Sequence, residues 1–498
     1  MSLPTQSSKR GYIKIAKTCE IARRHGLMYA WVDTCCIDKS SSAELTESIN
    51  SMYQWYSDAV VCYVFLEDLS IYGDPEELLA RCRWFGRGWT LQELIAPQIV
   101  EFFDVGWNYR GSKTDFLQSI SSCTGIQTHV LRGILPPKNC SIARRMSWAA
   151  SRITTRVEDM AYCLLGIFDV NMPLLYGEGL KAFRRLQEEI VKRNNDLTIF
   201  AWETPQRYQE AVLGLFAPSP ESFVNSNKTD PFVDDFINFS VTNKGLFVSG
   251  DVPLRAVAQV LNNEHSMYAL FLGRSRMDGG IYLRKIGPSL FCRDGRLPLA
   301  GFGANKLGQI GILDVADYYI LADPIINDGA NTLYSAFRNG ALHVPPHESL
   351  TVVDTVPETL WDVTDRTFLK PKPYSWNLYP MVLAIELQGT ILGKFLHLVA
   401  FCDYRESTPS CKLFWKGQFP RQEALVFQGR NQGRSRSEAV FWTTLENEAP
   451  HILELGSSLD TQVGDEVIHI SVHFKKGAVQ AISPEIFSLK LNISCSHV

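Results

Sequence analysis

The sequence lacks several features that would mark particular classes of protein. It contains no apolar run approaching the ~20 residues of a membrane-spanning helix. The stretch Met1 to Ser8 has no apolar segment of the kind that signal peptides carry. The net charge is -4, so no basic excess favours nucleic acid or an anionic membrane. We therefore expect a cytoplasmic protein with no membrane span and no nucleic-acid partner.

The 12 cysteines follow neither a metal-binding nor a disulfide pattern. No Cys-x-x-Cys pair occurs, and Cys35 and Cys36 are adjacent, which is poor geometry for one metal ion. A nucleophilic role for either thiol would require a histidine nearby in the sequence, and none is present. We predict no metal site, and we expect reduced thiols that are mostly buried within apolar segments.

Helical and strand-like segments alternate over residues 1–110. Gly26 supplies a stop signal for the first helix, and Ser41 to Glu44 form a capping box for the second. Such an alternation is typical of a parallel sheet covered by helices on both faces. The predicted elements are helix Gly11–His25, strand Met28–Val32, a helix from Ser41 to Tyr56, strand Ala59–Leu66, helix Thr90–Ala96 and strand Ile99–Phe103.

The pattern changes twice further along the chain. Residues 111–202 predict a helical extension, in which a capping box from Thr155 to Glu158 would open a helix over Met160 to Phe168. Residues 203–235 are rich in proline, asparagine, serine and charge, which is typical of a linker. Residues 236–498 hold short β-type runs between glycines and prolines, and they predict a β-rich sandwich or barrel.

Four motifs resemble conserved blocks of fungal heterokaryon-incompatibility (HET) domains. They are Tyr29 to Asp38, Arg87 to Pro97, Glu158 to Phe168 and Leu174 to Gly179. Together they extend the resemblance from Gly11 to about residue 202. HET domains in turn resemble TIR domains, which several lineages use as NAD-cleaving death or immune effectors. The resemblance implies a TIR-like, flavodoxin-like α/β domain over residues 1–110.

The TIR resemblance also implies an active site. Trp89-Thr90-Leu91-Gln92-Glu93 fits the Trp-x-x-x-Glu pattern of the TIR catalytic helix, with Glu93 as the carboxylate at the nicotinamide-side ribose and Trp89 as a pocket wall. Such a carboxylate stabilises the positive charge that develops on the ribose during cleavage. Asp33 and Asp38 follow a predicted strand end, where ligand loops lie, and Arg87 could pair with a phosphate. NAD would be a substrate, with no cofactor bound.

Each of these residues also has a structural interpretation. Thr90 and Glu93 fit a capping box, in which Glu93 would reach back to the amide of Thr90. Trp89 could belong to the core, and Asp33 and Asp38 could serve as loop or capping residues. Arg87 could lie on a solvated charged face.

The chain departs from the HET pattern at its start. A typical HET domain opens with a strand, whereas Leu3 to Arg10 predict none, so the domain is expected to be truncated and inactive unless that strand is supplied. The sequence predicts a self/non-self recognition and cell-death protein with protein partners, either a second copy or an incompatibility partner. The alternatives are a non-catalytic interaction module or an inactive truncated paralogue.

Overall fold

The computed structural model describes most of the first two hundred residues and a series of segments beyond them. The described residues are 10–204, 213–227, 238–243, 245–249, 254–257, 267–272, 280–287, 290–295, 299, 317–323, 342–356, 361–362, 366–368, 382–403, 410–418, 455–477 and 486–497. The stretch Leu3 to Lys9, for which the sequence predicts no strand, lies outside these residues. None of the helices in the described part has the length and apolar character needed to cross a membrane.

Helices and strands are found in residues 10–112, and two of the three predicted strands are confirmed. Its elements are α1 (Arg10–Arg24), α2 (Asp33–Cys36), α3 (Ser42–Asp58), β1 (Cys62–Phe65), α4 (Pro75–Leu79), α5 (Thr90–Ile95), β2 (Val100–Phe103) and β3 (Tyr109–Ser112). β1 and β2 pair in parallel, and β3 joins β2 in the antiparallel sense. The sheet is therefore mixed, and a TIR-like arrangement stays a prediction.

The strand predicted over Met28–Val32 is wrong. These residues form no strand, and the side chains of Met28 and Tyr29 are 87% and 93% exposed. In the described part of the chain, the sheet order β1-β2-β3 gives this segment no ladder partner. An apolar segment becomes a buried strand only where neighbouring strands satisfy its backbone groups. The segment instead runs over the surface, and only its end, at Trp31 and Val32, packs into the core.

Local signals around the first helices are confirmed. α1 ends in a Schellman motif, in which Gly26 adopts a φ of 73° and the Leu27 amide donates to the Ala22 carbonyl at 2.8 Å. Ser41 caps α3, because its side chain accepts from the amide of Glu44. The Glu44 carboxylate accepts from the Asp38 amide at 2.8 Å. In a standard capping box it would accept from the amide of the N-cap residue, Ser41.

The helical extension is confirmed, although the predicted helix over Met160–Phe168 is divided in two. Its helices are α6 (Leu117–Thr124), α7 (Thr128–Leu131), α8 (Ile142–Ser147), α9 (Asp159–Tyr162), α10 (Leu165–Phe168) and α11 (Lys181–Val191). The capping box from Thr155 is wrong. Glu158 is itself the N-cap residue of α9, and its carboxylate accepts from the amides of Gly177 and Gly179 at 2.8 and 3.1 Å.

The linker predicted over residues 203–235 is wrong where the structure describes it, at 203–204 and 213–227. Leu215, Ala217 and Phe223 are buried in the same core as the N-terminal helices. Gln187 of α11 binds Ala217 at both its carbonyl and its amide, with distances of 2.9 Å. The polar composition of the segment concealed these buried residues, which fix it to the domain.

The β-rich character predicted beyond residue 236 is confirmed. The strands are β4 (Phe239–Thr242), β5 (Gly245–Val248), β6 (Leu254–Val257), β7 (Met267–Phe271), β8 (Gly280–Gly287), β9 (Leu290–Arg293), β10 (Tyr318–Ile320), β11 (Leu342–His343), β12 (Thr351–Val356), β13 (Trp361–Asp362), β14 (Thr367–Phe368), β15 (Val382–Ile391), β16 (Lys394–Asp403), β17 (Ser410–Trp415), β18 (Ser458–Val463), β19 (Glu466–Gly477) and β20 (Ile486–His497). Their described pairings give sheets ordered β4-β5-β10-β9-β8-β7-β6, β13-β14-β11-β20-β19-β18 and β12-β15-β16-β17.

These sheets belong to two cores. The sheet that begins with β4 shares one hydrophobic core with the N-terminal helices, and the buried Arg293 on β9 joins them by donating to the carbonyl oxygens of Phe200 and Trp202. The other two sheets enclose a second core, to which Ile385 and Ile470 contribute from opposite sheets. Two sheets around one core form a sandwich, as one of the two predicted alternatives had it.

The close approach of α10 to α3 gives a stability prediction. A Cβ atom on Gly166 would lie 2.0 Å from the Tyr53 Cβ, so Gly166→Ala must push the two helices apart. We expect a loss of about 1–3 kcal/mol in the free energy of unfolding, measured by chemical denaturation. Gly11→Ala, in α1 with open space around it, is the matched control and should be neutral or stabilising. Equal stability of the two variants would contradict the packing.

Candidate functional site

The turn before α5 is fixed by residues of the helical extension. The Gly88 amide donates to the Ile153 carbonyl at 2.9 Å, and the Ile153 amide donates to the Gly86 carbonyl at 2.8 Å. A Cβ atom on Gly88 would lie 2.5 Å from Cγ2 of Thr154. Only glycine at position 88 therefore lets these two segments of the chain approach this closely.

A buried arginine holds the same turn from the other side. Arg152 donates from Nη1 to the Arg87 carbonyl at 2.9 Å and to Thr90 Oγ1 at 3.1 Å, and from Nε to the Trp148 carbonyl at 3.1 Å. Burial lowers the pKa of Arg152 to about 10, which leaves the guanidinium charged at neutral pH. The start of α5 is thus anchored to a fixed positive charge.

The capping-box interpretation of Thr90 and Glu93 is wrong. Thr90 is the first residue of α5, and the N-cap position belongs to Trp89, whose φ of -59° and ψ of -30° are already helical. Thr90 Oγ1 lies 2.5 Å from the Trp84 carbonyl oxygen and 2.9 Å from that of Arg87, so it serves the preceding turn. Because a cap requires an extended residue before the helix, the side chain of Glu93 is left for another partner.

That partner is the indole of Trp84. Trp84 Nε1 donates to Oε2 of Glu93 at 3.3 Å. The indole is 8% exposed and is held by edge-to-face contacts with Phe85 and Phe102, at centroid distances of 4.9 and 5.9 Å. A side chain fixed on two sides cannot follow the carboxylate, so it sets the direction in which Glu93 points.

The surroundings of Glu93 favour its protonated form. Burial raises the pKa of the carboxyl, and the charge of Asp33 raises it further. The charges of Lys14 and Arg87 and the hydrogen bond from Trp84 act in the opposite direction. A half-buried carboxyl with a raised pKa that faces charges of both signs is typical of a functional site.

Three of the five predicted site residues carry charges that act on one side chain of α3. Burial raises the pKa of the Tyr56 hydroxyl, the charges of Glu93 and Asp33 raise it further, and the charge of Arg87 lowers it. These three residues come from α5, α2 and the turn between α4 and α5. Arg87 is exposed and could meet a ligand from solvent.

The other two predicted residues have structural contacts of their own. Trp89 is half-buried and packs against the N-terminal core. The Asp38 carboxylate accepts from the amide and hydroxyl of Ser40 at 2.9 and 2.6 Å, and these bonds lower its pKa. The interpretations of Trp89 as a core residue and of Asp38 as a loop residue agree with these contacts, and a binding role for either stays a prediction.

Cys35 and Cys36 are exposed, contrary to the expected burial. Their sulfur atoms lie 3.9 Å apart in the single turn of α2. The turn lies at the surface because the preceding segment is a loop and not a buried strand. Partial burial of the Cys35 sulfur raises its pKa, and the hydrogen bond and charge of Cys36 raise it further, which disfavours a thiolate nucleophile. Within the described part of the chain, no group of His, Cys, Asp or Glu side chains could hold a metal ion.

Three residues of this site were not identified from the sequence. Trp84 and Tyr56 are ordinary apolar positions in the sequence, and Arg152 resembles a charged surface residue of a helical segment. The only signal for Trp84 was its position three residues before Arg87. Arg152 contacts Arg87 and Thr90, which lie more than 60 residues earlier in the sequence, so no local sequence pattern predicts its role.

Comparisons with known proteins support the resemblance. Residues 12–72 match the family model described as heterokaryon incompatibility protein (HET), and residues 181–244 match a domain of unknown function, DUF8212. The chain is 52% identical over 213 residues to vegetative incompatibility protein HET-E-1 of Podospora anserina, which covers 41% of this chain. It spans 16% of the length of that relative. No solved structure matches the chain.

The raised pKa of Glu93 gives a pH-dependent prediction. The folded state holds the Glu93 proton more tightly than the unfolded chain does, so its stabilising effect is complete below about pH 4.3 and is lost as the pH rises through the raised value. Glu93→Gln keeps an acceptor for Trp84 but cannot ionise. We expect the melting temperature of the variant, relative to that of the wild type, to rise between about pH 4 and pH 8.

The exposed Glu47 of α3 provides the control, because Glu47→Gln should follow the wild type at both pH values. If the melting temperature of Glu93→Gln does not rise relative to that of the wild type as the pH increases, the partly buried environment of Glu93 is contradicted.

Proposed function

We propose that this chain, which carries a fungal HET domain, acts in vegetative incompatibility, and that Glu93 is its catalytic residue. The activity we propose is cleavage of NAD, with cell death of the incompatible fusion cell as the consequence and the cytoplasm as the place of action. The observation that carries the proposal is the placement of Glu93. Its carboxylate is bound by a fixed indole and is not used to cap the helix on which it lies.

The proposed reaction needs a carboxylate beside the ribose. When the bond between C1′ of the ribose and the nicotinamide nitrogen breaks, its electron pair leaves with nicotinamide and the ribose becomes oxocarbenium-like. Water then adds at C1′ and loses a proton, which gives ADP-ribose. Glu93 stabilises the cationic ribose, and the Trp84 hydrogen bond keeps the carboxylate in place during the step.

The neighbouring charges fit the two ends of such a substrate. The exposed guanidinium of Arg87 could pair with the pyrophosphate, and Lys14 on α1 contributes a further positive charge near Glu93. The same two charges oppose the effect of burial on the pKa of Glu93. Their neutralisation by the pyrophosphate would raise this pKa, whereas the cationic nicotinamide ring beside the carboxyl would lower it and favour the carboxylate that the reaction needs. Substrate binding and the state of the carboxyl are coupled in this account.

A second function is non-catalytic. The HET domain would recognise a protein partner, either another copy of this chain or an incompatibility protein, without cleaving NAD. The name of the relative from Podospora anserina indicates an incompatibility role and no reaction, which is the observation that favours this alternative. Under it, the charges around Glu93 would serve stability alone.

The test compares NAD consumption and incompatibility in the same variants. Glu93→Gln should reduce the rate of NAD loss about 100-fold or more, measured as nicotinamide release by the purified chain with and without an added N-terminal strand, while Glu47→Gln keeps the wild-type rate. Expression of both variants in an incompatible fungal host should show that cell death follows the NAD activity. Cell death that persists in Glu93→Gln would support the non-catalytic alternative, and unchanged NAD loss would remove Glu93 from the mechanism.

A further inference from the structure

A cavity lies on the face of the small sheet that points away from the core. Side chains alternate along β1 and β2, so Tyr63, Glu101 and Phe103 share a face while Cys62 and Phe102 point into the core. A cavity of about 500 Å³ opens above that face, beside the end of α1. Its lining includes Arg24, His25, Glu101, Phe103, Trp107 and Tyr109. Its volume lies in the usual range for small-molecule sites.

The cavity has an aromatic wall. Phe103 contacts Trp107 and Tyr109 at centroid distances of 6.2 and 6.0 Å, and Trp107 stacks on Phe65 at 4.4 Å with an interplanar angle of 11°. Aromatic faces carry partial negative charge, and they attract cations that lie over them. The wall is therefore suited to a ligand that is both apolar and positively charged.

The loop between β2 and β3 holds Trp107 in this wall. Trp107 has a φ of 61°, in the left-handed region that bulky residues rarely adopt. The buried Asp104 supports the loop, because its Oδ1 accepts from the amides of Gly106 and Asn108 at 2.9 and 3.0 Å. Arg110 adds a charge-assisted bond to Asp104 Oδ2 at 3.3 Å. A strained backbone kept in place by a buried carboxylate is typical of a functional loop.

Glu101 adds a carboxyl group to the lining of the cavity. Its Oε2 is out of contact with water and has no hydrogen-bond partner within the described residues. The nearby cation of Arg24 is paired with Glu20 at 2.6 Å, and His25 Nδ1 is bonded to the Tyr63 hydroxyl at 2.7 Å. Because Arg24 and His25 have these other partners, the carboxyl of Glu101 can act on a cation that lies beside it in the cavity.

We propose that this cavity binds an organic ammonium ion, such as a methylated or primary alkylammonium group, between Glu101 and the aromatic wall of Phe103, Trp107 and Tyr109. The ammonium charge would lie beside the Glu101 carboxyl, and its carbon substituents would pack on the aromatic rings. The site is separate from Glu93, which lies on α5 and faces a different set of charges. It therefore holds independently of the proposed NAD cleavage.

The test uses choline and its neutral isostere 3,3-dimethylbutan-1-ol as probes of the full chain. Both molecules have the same shape, but only choline is charged. Isothermal titration should show that choline binds at least about tenfold more tightly, and tryptophan fluorescence should change on binding. Equal affinities, or no binding of choline, would overturn the proposal without the need for any variant.

Two variants locate the site. Glu101→Gln should weaken choline about tenfold and leave the isostere unchanged, while Trp107→Leu should weaken both and remove the fluorescence change. Glu47→Gln removes an exposed carboxylate elsewhere on the domain and should bind choline like the wild type. Circular dichroism checks that each variant is folded. Full choline affinity in a folded Glu101→Gln variant would rule out this carboxylate as the ligand-binding group.

Discussion

The candidate site depends on the buried guanidinium of Arg152. An arginine that is 3% exposed loses most of its hydration, and carbonyl and hydroxyl oxygens of three residues accept from its Nη1 and Nε. Its Nη2 is buried and has no hydrogen-bond partner among the described residues. Two of the acceptors, at Arg87 and Thr90, form the turn that begins α5. In that turn the Thr90 hydroxyl binds carbonyl oxygens of the preceding residues, and the Glu93 carboxylate accepts from Trp84. The contact between distant segments therefore supports an arrangement in which Glu93 does not cap its own helix.

The small sheet separates two environments. Its core face packs against Trp84 and the helices that present Glu93, and its other face presents Glu101 below an aromatic wall. Both carboxyls are partly removed from water, but their surroundings differ. Glu93 faces Lys14, Arg87 and a hydrogen-bonding indole, whereas Glu101 has a buried oxygen without a donor among the described residues. We therefore propose a different ligand chemistry for each face of this sheet.

The sequence predicted those elements whose signals are local. Gly26 ends α1, Ser41 caps α3, and β-strands follow residue 236, where short β-type runs predicted them. Predictions that needed a distant partner were wrong: Met28–Val32 has no neighbouring strand, and the polar segment that contains Phe223 is packed into the core. The resemblance to HET domains identified Glu93, but the capping box that competed for this residue could be rejected only from the contacts of Thr90.

The titration of Glu93 tests directly whether its carboxyl is partly buried and bound by Trp84. Carbon-13 NMR of the side-chain carboxyl, assigned by its loss in Glu93→Gln, gives its pKa in the folded chain. The account predicts a value above that of an ordinary glutamate, and a further rise in Trp84→Phe, which removes the stabilising hydrogen bond. A value at or below about 4.3, unchanged in Trp84→Phe, would show that Glu93 is a solvated or capping side chain and would contradict the site described above.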